Sequence, residues 1–303
     1  MTAEVLSGPL PAASSRNASA LERAARNERL LLAALTLPAV AIVTLMLVVP
    51  LAGLFWQSIT NAQGQFTATN YARLFSDEGY ALTFQRTFLT SAAVTLICIV
   101  LGYPLAFLAA ISRPRTTVLI LSLVMIPFWT SVLVRTYAWL VLLQRNGLIN
   151  QGLKASGLID EPLALVHNLT GTMIGMVHVM LPFVVLTLYG SLKQIPDDLG
   201  RAAASLGAKP GRVFRQVVLP LSAPGLVAGG VFVFVLSLGF YITPELMGGG
   251  RVIMVSMLVQ RNIELYSQFG AASAVAFVLL LLTMLILWLA DKVVPVERIL
   301  GEK

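Results

Sequence analysis

From Leu30 to Trp56 the chain carries no charged side chain. That run is longer than the roughly 7–15 apolar residues of a secretory leader and exceeds the roughly 20 that a helix needs to cross a bilayer. In lipid a backbone must satisfy its own N–H and C=O groups, which only helices and closed barrels achieve. Further runs of the same character fall at about 87–111, 117–143, 171–191, 224–245 and 270–293, each near spanning length. They are too long and too uniformly apolar to be barrel strands. The composition agrees: 57% of the 303 residues are hydrophobic and 12% charged, against about 25% charged in soluble domains. The expected fold is all-α, a polytopic membrane protein with six transmembrane helices.

Basic residues set the direction of the spans. With the N-terminus inside, Arg16, Arg23, Arg26 and Arg29, then Arg113 and Arg115, then Lys193 to Arg215, then Lys292, Arg298 and Lys303 are cytoplasmic. The external segments keep Arg73, Arg86, Arg145, Lys154, Arg251 and Arg261. The positive-inside rule then places both termini in the cytoplasm, and the net charge of +7 reads as topology rather than as nucleic-acid binding. Residues 1–29 are expected to be a partly disordered cytoplasmic tail, 30–294 the six-span domain and 295–303 a second cytoplasmic tail. Val252–Val259, "VIMVSMLV", is too short to cross and follows Gly248-Gly249-Gly250; it is expected to be a packed or interfacial helix.

Several function classes lose support here. None of the 14 acidic residues lies in mid-span; Glu245 and Asp291 stand at span ends. An ion-coupled carrier or channel, the rival reading, usually holds ionisable groups at depth. Gly207 to Arg212 is the nearest approach to a phosphate-binding Walker loop and lacks its spacing and lysine, so no nucleotide site is expected on this chain. Cys98 lies alone in an apolar run and reads as a small hydrophobe. His167 and His178 lack metal-ligand spacing; His178 is expected to pack or hydrogen-bond within its span rather than to ligate metal or relay protons. No catalytic constellation is present.

Between the fourth and fifth spans lies "RAAASLGAKPGRVFRQVVLP", Arg201 to Pro220. Pro196 suits a helix start, Asp197 and Asp198 suit its N-terminal dipole, and Gly207 suits the position after its last turn. A turn through Lys209-Pro210-Gly211 leads to a second helix over about 212–219, apolar at Val213, Phe214 and Val217 on one side. Such a bracket can lie on anionic lipid or seat its alanine face in a partner's groove.

At these residues the segment resembles the coupling loop of ABC importer permeases. That signature is Glu-Ala-Ala, three residues, Gly, nine residues, a branched aliphatic, one residue and Leu-Pro. Ala202-Ala203, Gly207, Val217, Leu219 and Pro220 fit it; Arg201 stands where the family usually has Glu. "LGYPLAFLAA", "IPFWTSVLVRTYAWLVLL", "NGLIN", "LPFVVLTLYGSL" and "YITPELMGG" are similar to the spermidine/putrescine permease subfamily, whose relatives also serve ferric ion, phosphonates and opines. The resemblance implies a bacterial inner-membrane permease working with a second permease, two cytoplasmic ATPase subunits that carry ATP and magnesium, and an external solute-binding protein. It implies ATPase docking at Arg201, Ala202, Ala203, Ser205, Leu206, Gly207, Ala208, Pro210 and Phe214, with Val217, Leu219 and Pro220 shaping the loop.

For the solute path the candidates are Phe128, Trp129, Arg135, Tyr137, Trp139, Tyr241 and Glu245. Aromatic faces attract ammonium groups, but aromatics also form interfacial belts. A straight third span puts Arg135 about 27 Å from its cytoplasmic end. There it either pairs with Glu245 at the external mouth or snorkels to headgroups.

Overall fold

The computed structural model describes residues 13–61 and 63–293; the remainder of both tails lies outside the described residues. The chain divides into two units, residues up to Trp56 and residues from Gln57 onward. The first is one long helix, α1, Ala13–Ser58, containing Pro38 and Pro50. Its spanning part is Leu31–Ser58. Residues 13–29 are therefore helical and continuous with the first span; the rest of the expected N-terminal tail lies outside the described residues. The charges of Arg16 to Arg29 do not interrupt the helix because arginine and alanine are both strong helix formers.

In the second unit the order is α2, Thr69–Ser76; α3, Glu78–Ile111; α4, Pro114–Met125; a 3₁₀ turn, Ile126–Trp129; α5, Val132–Leu143; and α6, Leu148–Ala155. Then come α7, Leu169–Lys193; α8, Asp197–Ser205; α9, Pro210–Val213; a π turn, Phe214–Val218; and α10, Leu219–Leu238. The described chain closes with α11, Ile242–Gly248; α12, Val255–Glu264; and α13, Phe269–Val293. Among the described residues, five helices are long and apolar enough to cross a membrane, and a bent pair makes up to six.

The core is the junction of α3, α7 and α10. Val94 and Cys98 of α3, Met176, Val184 and Leu188 of α7 and Val233 of α10 are all fully buried there. Lipid tails are as apolar as leucine, so helices in a bilayer associate through close packing rather than burial from water. Gly225 shows how close: a Cβ on it would lie 2.2 Å from Ser191 Cβ. Hydroxyls inside these helices bond back one turn, as Thr83 does to Gly79 O and Thr95 to Ser91 O, both at 2.8 Å. Thr87 Oγ1 also accepts the Val255 N–H at 2.9 Å, tying the start of α12 to α3. Val252, Met254, Val255 and Met257 are buried; the short apolar stretch is packed, and it is helical from Val255 onward.

Two spans differ from the straight rods expected. The third is broken: α4 with its 3₁₀ turn and the helical stretch Val132–Ala155 meet at 100°. Pro127 lacks an N–H and cannot continue the α pattern, and Thr130 closes the turn by donating its hydroxyl to Pro127 O at 2.8 Å. Instead of climbing further, the chain turns aside just before Arg135. The fifth begins earlier and ends earlier than expected. Helix runs from Pro210 to Leu238 through the π turn, and α11 follows as a separate element.

Candidate functional site

Two regions carry polar or exposed groups that packing alone does not account for. The first is the bracket before α10. Asp197 and Asp198 occupy the first turn of α8, where their charge suits the helix dipole. At its other end the Ala208 N–H bonds Ala203 O at 3.1 Å and the Gly207 N–H bonds Ala204 O at 2.9 Å. With Gly207 at φ +85° this is a Schellman cap. It leaves Arg201, Ala202, Ser205 and Gly207 exposed, and Leu206 90% exposed. Ala203 and Ala208 are half-buried and Pro210 is exposed.

Phe214, grouped with the docking residues from sequence, also has an inward contact. It is half-buried, packed edge-on against Tyr103 at 5.7 Å and Phe107 at 5.3 Å between ring centroids. Tyr103 OH in turn pairs with Ser222 Oγ at 2.8 Å. Phe214, the first residue of the π turn, thus packs onto α3. Val217 is half-buried, while Leu219 and Pro220 are exposed and helical, so Pro220 continues the helix in its first turns rather than marking an end. The Tyr103–Phe107 platform was missed, although two rings four residues apart share a helix face.

The second region is the meeting of α5, α7 and α11. Thr136 Oγ1 and Thr243 Oγ1 lie 3.1 Å apart in the buried α5–α11 contact. Trp139 donates its indole N–H to His178 Nδ1 at 3.0 Å across the α5–α7 contact, with the rings edge to face at 5.5 Å. His178 is thus hydrogen-bonded, as expected. Arg135 is 8% exposed, and its Nε and Nη1 have no hydrogen-bond partner. Glu245, half-buried on α11, has an unpartnered Oε2. Of the two arrangements left open for Arg135, the structure shows neither an ion pair with Glu245 nor a side chain reaching out along a straight span.

The other path candidates scatter. Trp129 is 85% exposed, Phe128 packs edge-on against Phe183 at 5.7 Å and Tyr137 is exposed. Tyr241 is half-buried in the break between α10 and α11, where Ser256 donates to Phe240 O at 2.8 Å. The structure therefore brings Arg135, Trp139, Tyr241 and Glu245 to elements that pack together, and leaves Phe128, Trp129 and Tyr137 outside that junction. Among the described residues, no group of three or more His, Cys, Asp or Glu is placed to hold a metal ion.

Residues 102–298 match the family described as binding-protein-dependent transport system inner membrane component. The chain belongs to that family. Among its relatives, the spermidine/putrescine transport system permease protein PotB of Salmonella typhi is 34% identical over 231 residues, covering 75% of this chain and 80% of that protein. PotB of Escherichia coli K12 is 32% identical over 231 residues, covering 75% and 83%. The molybdenum transport system permease protein ModB of Mycobacterium bovis is 31% identical over 198 residues, covering 65% and 73%. In three dimensions the chain is similar to a crystal structure of a bacterial ABC transporter that imports the acidic polysaccharide alginate. The TM-score is 0.72 at 17% identity, over 90% of this chain and 97% of that one. An inward-facing MetNI methionine ABC transporter gives 0.51 at 18% identity, over 72% and 97%. A multi-pass inner-membrane permease subunit of a binding-protein-dependent ABC importer accounts for the spans, the capped bracket and these likenesses together. The ion-coupled carrier is not favoured.

Proposed function

We propose that this permease passes a small cationic solute, a polyamine such as spermidine or putrescine, received from an external binding protein. ATP with magnesium acts on separate ATPase subunits, two of which dock on the brackets of this chain and of a second, different permease. Both termini face the cytoplasm. The observation that carries the docking role is the Schellman-capped α8, which holds Leu206 and the small face at Ala202 and Ser205 out from the membrane unit. Exposed apolar side chains at a rigid turn seat readily in a partner's groove. The second arm of the bracket, from Pro210, runs as unbroken helix into α10, and α8 packs against that arm, so a displacement of α8 reaches the core. The polyamine class is supported by the relatives named above and by Glu245 and Tyr241, a carboxylate and an aromatic face suited to ammonium groups.

The test is reconstitution of the whole assembly in lipid vesicles with labelled putrescine and spermidine. Uptake is expected to need ATP and the binding protein, and to be lost in Gly207→Asp despite normal insertion of that variant. Flux of either solute without any ATPase would defeat the reading.

A further inference from the structure

The third span is interrupted where interruption is hard to tolerate. Its first helical stretch, Pro114–Trp129, is about 25 Å long. The hydrocarbon core is roughly 30 Å thick, so a span that starts at one border breaks before it reaches the other. Thr130 and Ser131 then leave the helical conformation and are exposed. Irregular backbone at that depth does not face lipid; it lines a cavity or is covered by protein.

The helix that restarts there opens with donors and no acceptor. Ser131 gives α5 no side-chain cap, and no acidic residue stands in its first turn. The Arg135 N–H bonds Ser131 O at 3.0 Å. The N–H groups of Val132, Leu133 and Val134 precede that ladder and carry the positive end of the helix dipole. Arg135 adds a full charge to the same end. It is the fourth residue of α5, and a helical side chain leans back over the turn before its own Cα. It is 8% exposed, and its Nε and Nη1 are buried without a hydrogen-bond partner. A guanidinium keeps its charge, and a lone buried charge is strongly unfavourable until an opposite one joins it. The polar side chains that follow it on α5 are engaged elsewhere, Thr136 with Val132 O and Thr243 and Trp139 with His178. An uncapped helix start and a buried cation leaning over it call for the same ligand, a compact anion.

We infer that the break in the third span is a seat for the carboxylate of a solute. The guanidinium supplies paired donors that fit a carboxylate, and the N–H groups of α5 complete the shell. This goes beyond the polyamine reading and rests on it only for the rest of the molecule: the solutes that satisfy both are amines carrying a carboxylate, amino acids of a diamine's length. An acidic side chain of the second permease has the same chemistry but would fill the seat permanently, and the two sources give different results.

The first readout is thermal unfolding of the solubilised permease pair, with acetate replacing chloride at constant ionic strength. Wild type is expected to melt about 2–4 °C higher in acetate well above its dissociation constant. Arg135→Met is expected to melt above wild type in chloride, because it removes a lone buried charge, and to ignore acetate. A structural arginine predicts the opposite sign, and a lower melting temperature for that variant overturns the seat. Should Arg135→Met fail to fold, Arg135→Lys keeps a charge without the fork and is expected to need about tenfold more acetate for the same shift; an unchanged midpoint overturns the seat. So does a pair blind to acetate, and if the full chain alone responds, the seat belongs to an acid of the second permease. The second readout is ATP-driven uptake of labelled putrescine by the whole assembly in vesicles, with 4-aminobutyrate as competitor. Inhibition is expected to weaken about tenfold in Arg135→Lys. Inhibition equal in both arises at the binding protein and overturns the solute assignment, as does its absence from wild type. Acetate stabilisation through Arg135 in an assembly that takes up no putrescine overturns the polyamine reading and leaves the seat standing.

Discussion

Gly207 carries a conformation that other residues resist. At φ +85° it closes α8, and a β-branched side chain there costs roughly 1–3 kcal/mol. Gly207→Val is therefore expected to insert normally yet bind the ATPase subunits weakly, which a co-purification titration in detergent reads. Gly225 carries a different constraint, space rather than dihedral. Overpacking of this kind costs roughly 1–3 kcal/mol, so Gly225→Ala should lower the melting temperature of the purified chain, and adding Ser191→Gly should recover most of it. A Gly225→Ala variant as stable as wild type would count against tight α7–α10 packing. Gly207 was legible in the sequence, because a glycine a fixed distance beyond an alanine helix is a local signal. Gly225 was not: what crowds it is Ser191, a residue on another helix.

At the level of elements the same division holds. Hydropathy finds a span by length and composition, and it found all six regions. It is blind to direction, which is why the third span read as straight although Pro127 turns it through 100°. The error moved Arg135 to the end of a rod, when it lies just beyond a corner. The bracket was read correctly as helix, turn and helix because proline, aspartate and glycine mark its ends. Its apolar side at Val213, Phe214 and Val217 is the half-buried one, but the rings that receive it were not legible, since nothing local to Phe214 announces Tyr103 and Phe107. Aromatic pairs of this geometry contribute about 0.5–1.5 kcal/mol each beyond their buried area. Phe214→Ala removes both contacts and is expected to leave ATP hydrolysis running while uptake per ATP falls several-fold. Uptake and hydrolysis falling in proportion would instead mean that the ring merely supports docking.

For the whole molecule, the proposed sidedness makes a direct prediction, and the chain is well suited to testing it. Its one cysteine, Cys98, is fully buried and gives a silent background. Ser205→Cys, on the exposed bracket, should react with a membrane-impermeant maleimide only from the cytoplasmic side. Asp160→Cys, exposed between α6 and α7, should react only from outside; the opposite pattern would invert the topology. The π turn adds a property at this scale. It holds one more residue than an α turn would, and one residue of helix corresponds to roughly 100° of rotation. If Phe214–Val218 tightened to the α pattern, everything beyond would have to revolve about the helix axis. Under the proposed docking, the segment between α8 and the core is geared as a screw: a thrust arriving at α8 is delivered along α10 as torque.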